Sequence, residues 1–464
     1  MPLILPSNSI SAVGYDVANS LRFNDGSSDY LIRTPSSASN RKTFTFSTWV
    51  KRITSGSDYI FAVKTGTGAS DNFYFGWRND QIQISSQSAD GSTTNINIRS
   101  NALYRDFSAW YHLVCAVDTT QGTSTNRLKL YVNGSQVTSL ENTTYPNEND
   151  DIYGINNTIE HSFGRENYEG GANYHSYYLA ETVLIDGQQL DPTSFGEFDE
   201  DTGIWKPIDV SSLTFGTNGF YLPFENSGAL GQDDSGNGNN FTVNNLTSID
   251  QTTDTPTNNY ATFNPLINNW TSISQGNLKV TNTIQAYRDV FSTIAVTSGK
   301  WYVECRIDTE IGGTYPIFGI ADASEYQYPA QYNLLGRSPL GWGFQTDGNY
   351  YNNNADAGNW STLDSGDIIG FYLDLDSAQN TLKVYKNGVS ELSINISNPV
   401  DGYYFGCSTF GEDSVSGSIN FGNPIYTLTS ANSDANGYGS FEYSPTISSV
   451  NYYALNTKNL SEFG

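Results

Sequence analysis

A run of acidic residues at positions 197–201 is the part of this sequence that most invites a catalytic interpretation. It reads Glu-Phe-Asp-Glu-Asp, and retaining glycosidases cleave sugar linkages with two carboxyl groups held about 5–5.5 Å apart. Gly196 precedes the run, Thr202-Gly203 follows it, and Asp191-Pro192 predicts a short helix leading into it. Such flanks are typical of a connection, so we expect an exposed acidic turn and predict no catalytic residue.

The sequence contains no residues spaced as nucleophilic catalysis, metal binding or phosphate binding would require. The three histidines and three cysteines are scattered, at His112, His161, His175, Cys115, Cys305 and Cys407. No serine stands in a nucleophile-elbow context, no cysteine pair indicates zinc or a disulfide framework, and no glycine-rich loop could cradle a phosphate. We expect His112 to be a packed or edge residue and Cys115 to be a buried free thiol.

Tyrosines cluster in two stretches whose polar neighbours predict loops. The first stretch holds Tyr326, Tyr328 and Tyr332, and the second holds Tyr350 and Tyr351 before three asparagines. Tyrosine offers a broad, stiff contact surface with a polar tip, and its ring can stack on a sugar ring. Two interpretations stay open, because these rings could bind a ligand or could cover the edge of a sheet.

The overall composition argues against several classes of partner. The 464-residue chain has 48 acidic and 22 basic residues and a net charge of −26. This balance disfavours nucleic acid, whose phosphates are bound by Lys and Arg, and also disfavours an anionic membrane surface. Charged residues make up only 15%, so Asn, Ser, Thr, Gln and Tyr must form much of the surface. We find neither the roughly 20 apolar residues of a membrane span nor a secretory signal, and we expect synthesis in a reducing cytoplasm.

The elements that would position any site are strands. Runs rich in Tyr, Phe, Thr and Val, separated by Gly and Asn, predict an all-β protein. A hairpin pattern occurs twice, at residues 128–134 and 382–388, where alternating side chains run into Asn-Gly, which suits a type I′ turn. Polar stretches at 233–240 and 250–259 lie between the two copies. Two all-β units of the same kind are the simplest explanation.

Ordered motifs make both units resemble known families. The first resembles a LamG-type, concanavalin A-like jelly roll, with Leu-Arg-Phe-Asn-Asp-Gly at 21–26, Phe-Thr-Phe-Ser-Thr-Trp-Val at 44–50, Trp-Tyr-His-Leu-Val at 110–114 and a closing strand at 179–187. The second resembles a SPRY domain, with Ser-Gly-Lys-Trp-Tyr-Val-Glu at 298–304, Ile-Phe-Gly-Ile at 317–320, Gly-Trp-Gly at 341–343, Gly-Asp-Ile-Ile-Gly at 366–370 and Ile-Asn-Phe-Gly at 419–422. Both families are two-sheet β-sandwiches. The resemblance implies two antiparallel jelly-roll β-sandwich domains in tandem with a short linker.

The motifs and the compositional boundaries together predict five segments. They are an N-terminal attachment segment (1–19), a LamG-like sandwich (20–245), a linker (246–259), a SPRY-like sandwich (260–428) and a C-terminal tail (429–464).

The order of these segments resembles virion appendage proteins of tailed bacteriophages, especially marine ones. The resemblance implies a non-enzymatic virion surface protein, such as a tail fibre, that is assembled in the bacterial cytoplasm and recognises a host-surface glycan or protein. Its implied partners are other virion proteins of the head or tail and further copies of itself, without nucleic acid or membrane insertion. Two alternatives stay open: a capsid-decorating head-fibre protein, and a polysaccharide depolymerase of the laminarinase type.

The resemblances also imply sites. LamG-like domains often carry calcium, and the oxygen-rich turns at Asn24, Asp25 and Asp71 offer the donors that it needs, although Asn/Asp-Gly is also common turn chemistry. SPRY domains bind partners through loops, which favours recognition by the tyrosine-rich stretches. A depolymerase would need two carboxylates facing each other across the first sandwich, but in laminarinases these acids alternate with apolar residues along a strand, unlike the run at 197–201.

Overall fold

The computed structural model describes residues 14–64, 71–168, 171–268, 272–283, 286–309, 316–323, 325, 334–411, 415–445 and 451–461. Its described residues fall into two compact units, the first ending at Thr257 and the second beginning at Asn258. Each unit is an antiparallel β-sandwich of the jelly-roll type, which confirms the predicted all-β fold class. Neither of the two described α-helices, Ser124–Arg127 (α1) and Thr457–Leu460 (α2), is long and apolar enough to cross a membrane.

The first unit is built from two main sheets. Its strands are β1 Ser20–Phe23, β2 Tyr30–Arg33, β3 Thr43–Arg52, β4 Asp58–Val63, β5 Asn72–Arg78, β6 Gln81–Gln87, β7 Thr94–Ser100, β8 Trp110–Asp118, β9 Leu128–Val132, β10 Ser135–Gln136, β11 Leu140–Thr144, β12 His161–Phe163, β13 Arg165–Tyr168, β14 Gly171–Tyr174, β15 Tyr177–Asp186, β16 Gly196–Phe198, β17 Trp205–Pro207, β18 Phe220–Leu222, β19 Thr242–Asn244 and β20 Gln251–Thr252. One sheet has the order β10-β9-β8-β3-β15-β1-β20, with β18 beside β15, and the other has the order β11-β7-β6-β5-β4-β12-β2-β19. Two small hairpins, β13-β14 and β16-β17, lie outside these sheets.

The core of the first unit lies between its two sheets and is largely aromatic. Phe46 of β3 stacks on Phe61 of β4 with ring centroids 4.8 Å apart, and Phe75 of β5 meets Phe46 edge-on. All three are fully buried. Side chains alternate between the faces of a strand, so each inward phenylalanine leaves its neighbours on the outer face.

The outer faces of the two sheets differ. That of the β3-β8-β15 sheet is covered, because Val183 and Tyr221 pack there with Phe195 and Phe215 from the following segments. That of the β4–β7 sheet carries polar residues, of which Ser85 and Asn97 are half-buried and Gln87 is exposed. An accessible site on this sandwich is therefore expected on the β4–β7 face.

The second unit repeats the two-sheet plan. Its strands are β21 Phe263–Asn268, β22 Ser272–Ser274, β23 Lys279–Asn282, β24 Ala286–Ser292, β25 Lys300–Thr309, β26 Ile317–Ala321, β27 Trp342–Gln345, β28 Asn349–Asn352, β29 Ala355–Asn359, β30 Ile368–Asp374, β31 Thr381–Lys386, β32 Val389–Asn395, β33 Tyr404–Gly411, β34 Val415–Asn420, β35 Asn432–Ser433 and β36 Ser440–Phe441. The sheets have the orders β21-β24-β33-β26-β27-β28-β29 and β22-β23-β34-β25-β30-β31-β32.

The two predicted Asn-Gly hairpins are confirmed. Asn133 and Gly134 have φ of +46° and +76° between β9 and β10, and Asn387 and Gly388 have +48° and +79° between β31 and β32. Positive φ at both central residues is the signature of a type I′ turn. The predicted short helix at Asp191-Pro192 is a single 3-10 turn, Pro192–Ser194, capped by the Asp191 carboxylate.

The structure differs from the expected linker and tail. Residues 250–257 belong to the first unit, where Asp254 and Thr255 are fully buried and β20 pairs with β1. In the segment expected to be a tail, Phe441 and Tyr452 pack on Tyr302, and Leu455 lies in the core of the second sandwich. Polar composition led to the expected linker, and the end of the SPRY-like motifs led to the expected tail, but a buried ion pair and aromatic packing hold these segments in the folded units.

Candidate functional site

A groove of about 170 Å³ lies on the outer face of the β4–β7 sheet in the first unit. Four neighbouring strands, β4 to β7, supply its lining: Tyr59, Tyr74, Arg78, Gln83, Ser85, Gln87, Thr94 and Asn97. The groove therefore combines two aromatic rings, one cation, and a row of amides and hydroxyls.

Strict alternation along β6 produces the polar floor of the groove. Ile82 and Ile84 are fully buried towards the core, which turns Gln83, Ser85 and Gln87 outward. Because serine is much smaller than the glutamines on either side, Ser85 leaves a depression at the centre of the row. Its cross-strand neighbours are Tyr74 on β5 and Asn97 on β7.

The aromatic wall depends on a β-bulge. Tyr59 and Tyr74 stack with ring centroids 4.7 Å apart and planes at 28°, and the register between β4 and β5 shifts between Tyr59 and Phe61. At this shift the two backbones approach so closely that a Cβ on Gly76 would lie 2.3 Å from the Asp58 carbonyl oxygen. Gly76 therefore permits the bulge that brings the two rings together.

The amides of the floor are already oriented. Gln83 Nε2 donates to Asn97 Oδ1 at 3.0 Å, and Gln87 Nε2 donates to Thr94 Oγ1 at 3.1 Å. Gln83 is 4% exposed, and its Oε1 is buried without a hydrogen-bond partner among the described residues. A buried carbonyl oxygen without a donor costs free energy until a ligand supplies one. Gln83 Oε1 is thus an acceptor in the groove floor without a donor among the described residues.

Charge near the tyrosines is mixed. Burial, followed by the neighbouring Glu166 carboxylate, raises the pKa of Tyr59 and Tyr74, and the Arg78 guanidinium lowers the pKa of Tyr59. Both phenols stay neutral at physiological pH and can donate or accept hydrogen bonds. Among the described residues that line the groove there is no carboxylate.

The acidic run at 197–201 lies at the end of β16 and in the turn that leads to β17. The Glu197 side chain is 57% exposed, but the prediction of an exposed turn is wrong for Asp199, which is 2% exposed. Asp199 accepts hydrogen bonds from the Thr202 backbone and hydroxyl, and pairs with Lys206 Nζ at 3.2 Å. Its carboxylate stabilises the turn.

His112 is packed in the structure, as predicted. Trp205 Nε1 donates to His112 Nδ1 at 3.0 Å, so the proton resides on Nε2, which lies 2.9 Å from Ser47 Oγ. A ring in this tautomer donates to the serine and cannot take its proton, as a catalytic histidine must. Burial lowers the pKa of His112 to about 3. Cys115 is likewise buried as a free thiol.

The three residues expected to offer calcium ligands do not converge. β2 and β4 both pair antiparallel with β12, and β5 pairs antiparallel with β4. Asn24 and Asp25, which precede β2, therefore lie at the opposite end of the sheet from Asp71, which precedes β5. Asp71 instead accepts from the Ala89 N–H at 3.0 Å. The described residues contain no group of three or more His, Cys, Asp or Glu suited to a metal ion.

Asp29, which the sequence did not single out, lies beside Asn24. The Asn24 backbone N–H and Nδ2 donate to Asp29 Oδ2 at 3.2 and 3.3 Å. The remaining oxygens, Asn24 Oδ1 and Asp29 Oδ1, are buried without a hydrogen-bond partner among the described residues. Burial, followed by the Asp250 carboxylate, raises the pKa of Asp29 to about 6. Both are oxygen donors of the kind that a hard cation takes.

Of the five tyrosines predicted as ligand-binding candidates, two lie within the described residues. Tyr326, Tyr328 and Tyr332 lie outside the described residues. The Tyr350 ring stacks on Phe344 at 5.5 Å and packs against the core, so it contributes to packing. Tyr351 is half-buried on the same strand.

Sequence reasoning missed the groove entirely. The alternation of Ile with Gln and Ser at 81–87 was a usable signal for a polar outer face. The pairing of Tyr59 with Tyr74 had no local signal, because it depends on the register between two strands.

Comparison with known proteins places the groove in context. The family model of the concanavalin A-like lectin/glucanases superfamily, Laminin_G_3, matches residues 25–171, which include the whole groove. No curated protein matches the chain. Solved structures similar to it include the SPRY domain of human HERC1 (18% identity over 34% of this chain and 96% of that chain, TM-score 0.29), a human SPRY domain (19%, 30% and 89%, 0.25) and a heptameric SAP-like pentraxin from Limulus polyphemus (17%, 38% and 80%, 0.28). The first sandwich thus has a lectin-like fold of the concanavalin A/LamG kind, a fold that suggests carbohydrate or protein binding.

Proposed function

We propose that this chain is a non-enzymatic binding protein whose first sandwich holds a saccharide in the β4–β7 groove. The observation that carries the proposal is the stacked Tyr59–Tyr74 pair beside a row of amides that includes the unpartnered Gln83 Oε1. Sugar rings have an apolar face and a rim of hydroxyl groups, and this lining is complementary to both.

Each part of the lining has a role in the proposed complex. The tyrosine rings offer an apolar wall for the face of a pyranose ring. A sugar hydroxyl donates to Gln83 Oε1 and so satisfies a carbonyl oxygen that is otherwise left unpaired. The depression above Ser85 leaves room for the ring. A shallow groove of this kind binds weakly at one site, and many copies on one surface would raise its avidity.

A glycan array followed by calorimetric titration tests the proposal. We expect Tyr74→Ala and Gln83→Ala to weaken binding of the best glycan about tenfold or more, because each removes a contact worth about 1–3 kcal/mol. Gln81→Ala is the matched control, since Gln81 lies on the same strand and face but outside the lining. An array without any bound glycan, or equal loss in all three variants, would contradict the proposal.

The groove also bears on the depolymerase alternative. Hydrolysis of a glycosidic bond needs a pair of carboxyl groups, whereas the described lining residues are amides, hydroxyls, tyrosines and an arginine. This supports binding without cleavage. Reducing-end release from the bound glycan would favour the depolymerase instead.

We propose further that the chain is displayed on the virion of a tailed bacteriophage, as a tail fibre or similar appendage, with a head-fibre protein as the alternative. The support is the order of the sequence motifs, two binding-type sandwiches in one chain. The implied partners are other virion proteins and further copies of this chain. An antibody against the chain should label purified particles at the tail, and label on the head would favour the alternative. Absence of the chain from purified particles would contradict both.

We propose a calcium site at Asn24 and Asp29, in place of the predicted set Asn24, Asp25 and Asp71. The ion would be held by Asn24 Oδ1 and Asp29 Oδ1, the two buried oxygens without a partner among the described residues, and would tie the turn before β2. We expect calcium to raise the unfolding temperature of the wild type but not of Asp29→Asn. Equal responses in both proteins would exclude this site.

A further inference from the structure

Among the described residues that line the groove, Arg78 is the one cation. It is the last residue of β5, it is exposed, and its guanidinium makes no ion pair or hydrogen bond with any residue in the described part of the chain. The chain has more than twice as many acidic as basic residues, yet Arg78 has no carboxylate partner among the described residues.

Arg99 on the same face provides a direct comparison. It is the cross-strand partner of Gln83 and pairs with Glu141 at 2.6 Å. Its charge is therefore balanced within the protein, while that of Arg78 is available to a ligand. A planar guanidinium can bind a carboxylate through two parallel hydrogen bonds.

The position of Arg78 relative to the tyrosines follows from the strand. Tyr74, Gly76 and Arg78 are alternate residues of β5 and project to the same side. The β4 backbone at residues 58–60 fills the place that a Cβ on Gly76 would take, and Tyr59 lies beside it on β4. Tyr59, Tyr74 and Arg78 all line the same groove, so a ligand stacked on the tyrosines can reach the guanidinium.

We infer that the groove selects a saccharide that carries a carboxylate, such as a uronic acid unit, and that Arg78 binds this carboxylate. The inference rests on the proposed saccharide-binding function and names its ligand class. Glu166, the other charge near the tyrosines, comes from β13, accepts from Asn173 Nδ2 at 3.2 Å and is not part of the lining. It repels a carboxylate at that end, so the acidic group points towards Arg78.

The net charge of −26 narrows the class of expected ligands further. A densely charged polyanion would be repelled by the protein as a whole. An oligosaccharide with a single carboxylate meets little of this repulsion and still gains the contact with Arg78.

A panel of uronic-acid disaccharides and their methyl esters tests the inference by calorimetric titration. The ester keeps the sugar and removes only the charge. We expect the wild type to bind at least one acid about tenfold more tightly than its ester, since a hydrogen-bonded charge pair is strong. Arg78→Gln should abolish this preference, and Arg78→Lys should retain part of it. Arg99→Gln is the matched control and should keep the preference, while Glu166→Gln should keep or increase it.

The outcomes separate this inference from the function on which it rests. Equal binding of acids and esters, unchanged by Arg78→Gln but weakened by Tyr74→Ala, would overturn the carboxylate preference and leave saccharide binding intact. No binding of any panel member, together with an array on which no glycan binds, would overturn both.

Discussion

Replacement of Asp254 by asparagine should strongly destabilise the first sandwich. Asp254 Oδ2 lies 2.8 Å from Lys51 Nζ, and both side chains have no exposed surface. Trp110 Nε1 donates to the other carboxylate oxygen at 3.0 Å. The asparagine side chain would keep the shape and could still accept hydrogen bonds, but the Lys51 ammonium would lose the negative charge that compensates it.

The size of the effect follows from this burial. Removal of one member of a buried pair costs about 3–5 kcal/mol, and the retained hydrogen bonds place Asp254→Asn near the lower end, at about 3 kcal/mol. For a unit of this size each kcal/mol lowers the unfolding temperature by about 2–4 °C. We therefore expect a decrease of roughly 6–12 °C.

Differential scanning calorimetry of the full chain measures this decrease. Glu141→Gln breaks the Arg99–Glu141 pair, in which the glutamate side chain is 44% exposed, and should cost less than about 1 kcal/mol. The double variant Lys51→Met/Asp254→Leu removes both charges and should recover most of the loss. If Asp254→Asn shifted the unfolding temperature no more than Glu141→Gln does, the assigned role of the buried pair would be refuted.

Three further predictions concern stability and the groove. Gly76→Ala should lower both the urea unfolding midpoint and the saccharide affinity, because the new Cβ would meet the β4 backbone. Gly122→Ala, whose Cβ would have nothing within 4 Å, should change neither quantity. Urea unfolding measures the midpoint and calorimetric titration measures the affinity. His112 has a pKa of about 3 in the native state and about 6.5 in the unfolded chain, so between these pH values only the unfolded chain binds the proton. The free energy of unfolding should therefore fall as the pH drops below 6.5. His112→Gln should flatten this pH dependence, measured as the urea midpoint at each pH. Burial chiefly raises the pKa of Glu304 to about 7 in the native state, against about 4.3 in the unfolded chain, so between these pH values only the native state keeps the proton. The contribution of Glu304 to the free energy of unfolding should therefore decrease as the pH rises from about 4.5 to 7. Glu304→Gln should remove this slope in the same urea assay.

Features governed by local geometry could be predicted from the sequence. The Asn133-Gly134 and Asn387-Gly388 turns follow from the tolerance of these residues for positive φ, and the strands follow from alternation. The packed state of His112 also followed from its place within an apolar run. In each case the local structure is determined by residues that are adjacent in the sequence.

Features that depend on distant partners could not be predicted. Asp254 lies in a Thr- and Asn-rich stretch that looks like a linker, but its carboxylate pairs with a lysine 203 residues earlier in the chain. Tyr350 looks like a ligand platform, but cross-strand neighbours draw its ring onto the core. The groove itself requires the β4-β5 register, the bulge beside Gly76 and the small Ser85 to coincide, and each is a property of the paired strands.

The central claim is that the β4–β7 groove is the saccharide site, and blocking it tests this most directly. Ser85→Trp would place an indole in the central depression, and Gln81→Trp places the same ring on the same strand outside the lining. Titration of the best array glycan should give no measurable binding to Ser85→Trp and a wild-type Kd for Gln81→Trp. A wild-type Kd for folded Ser85→Trp would contradict the account.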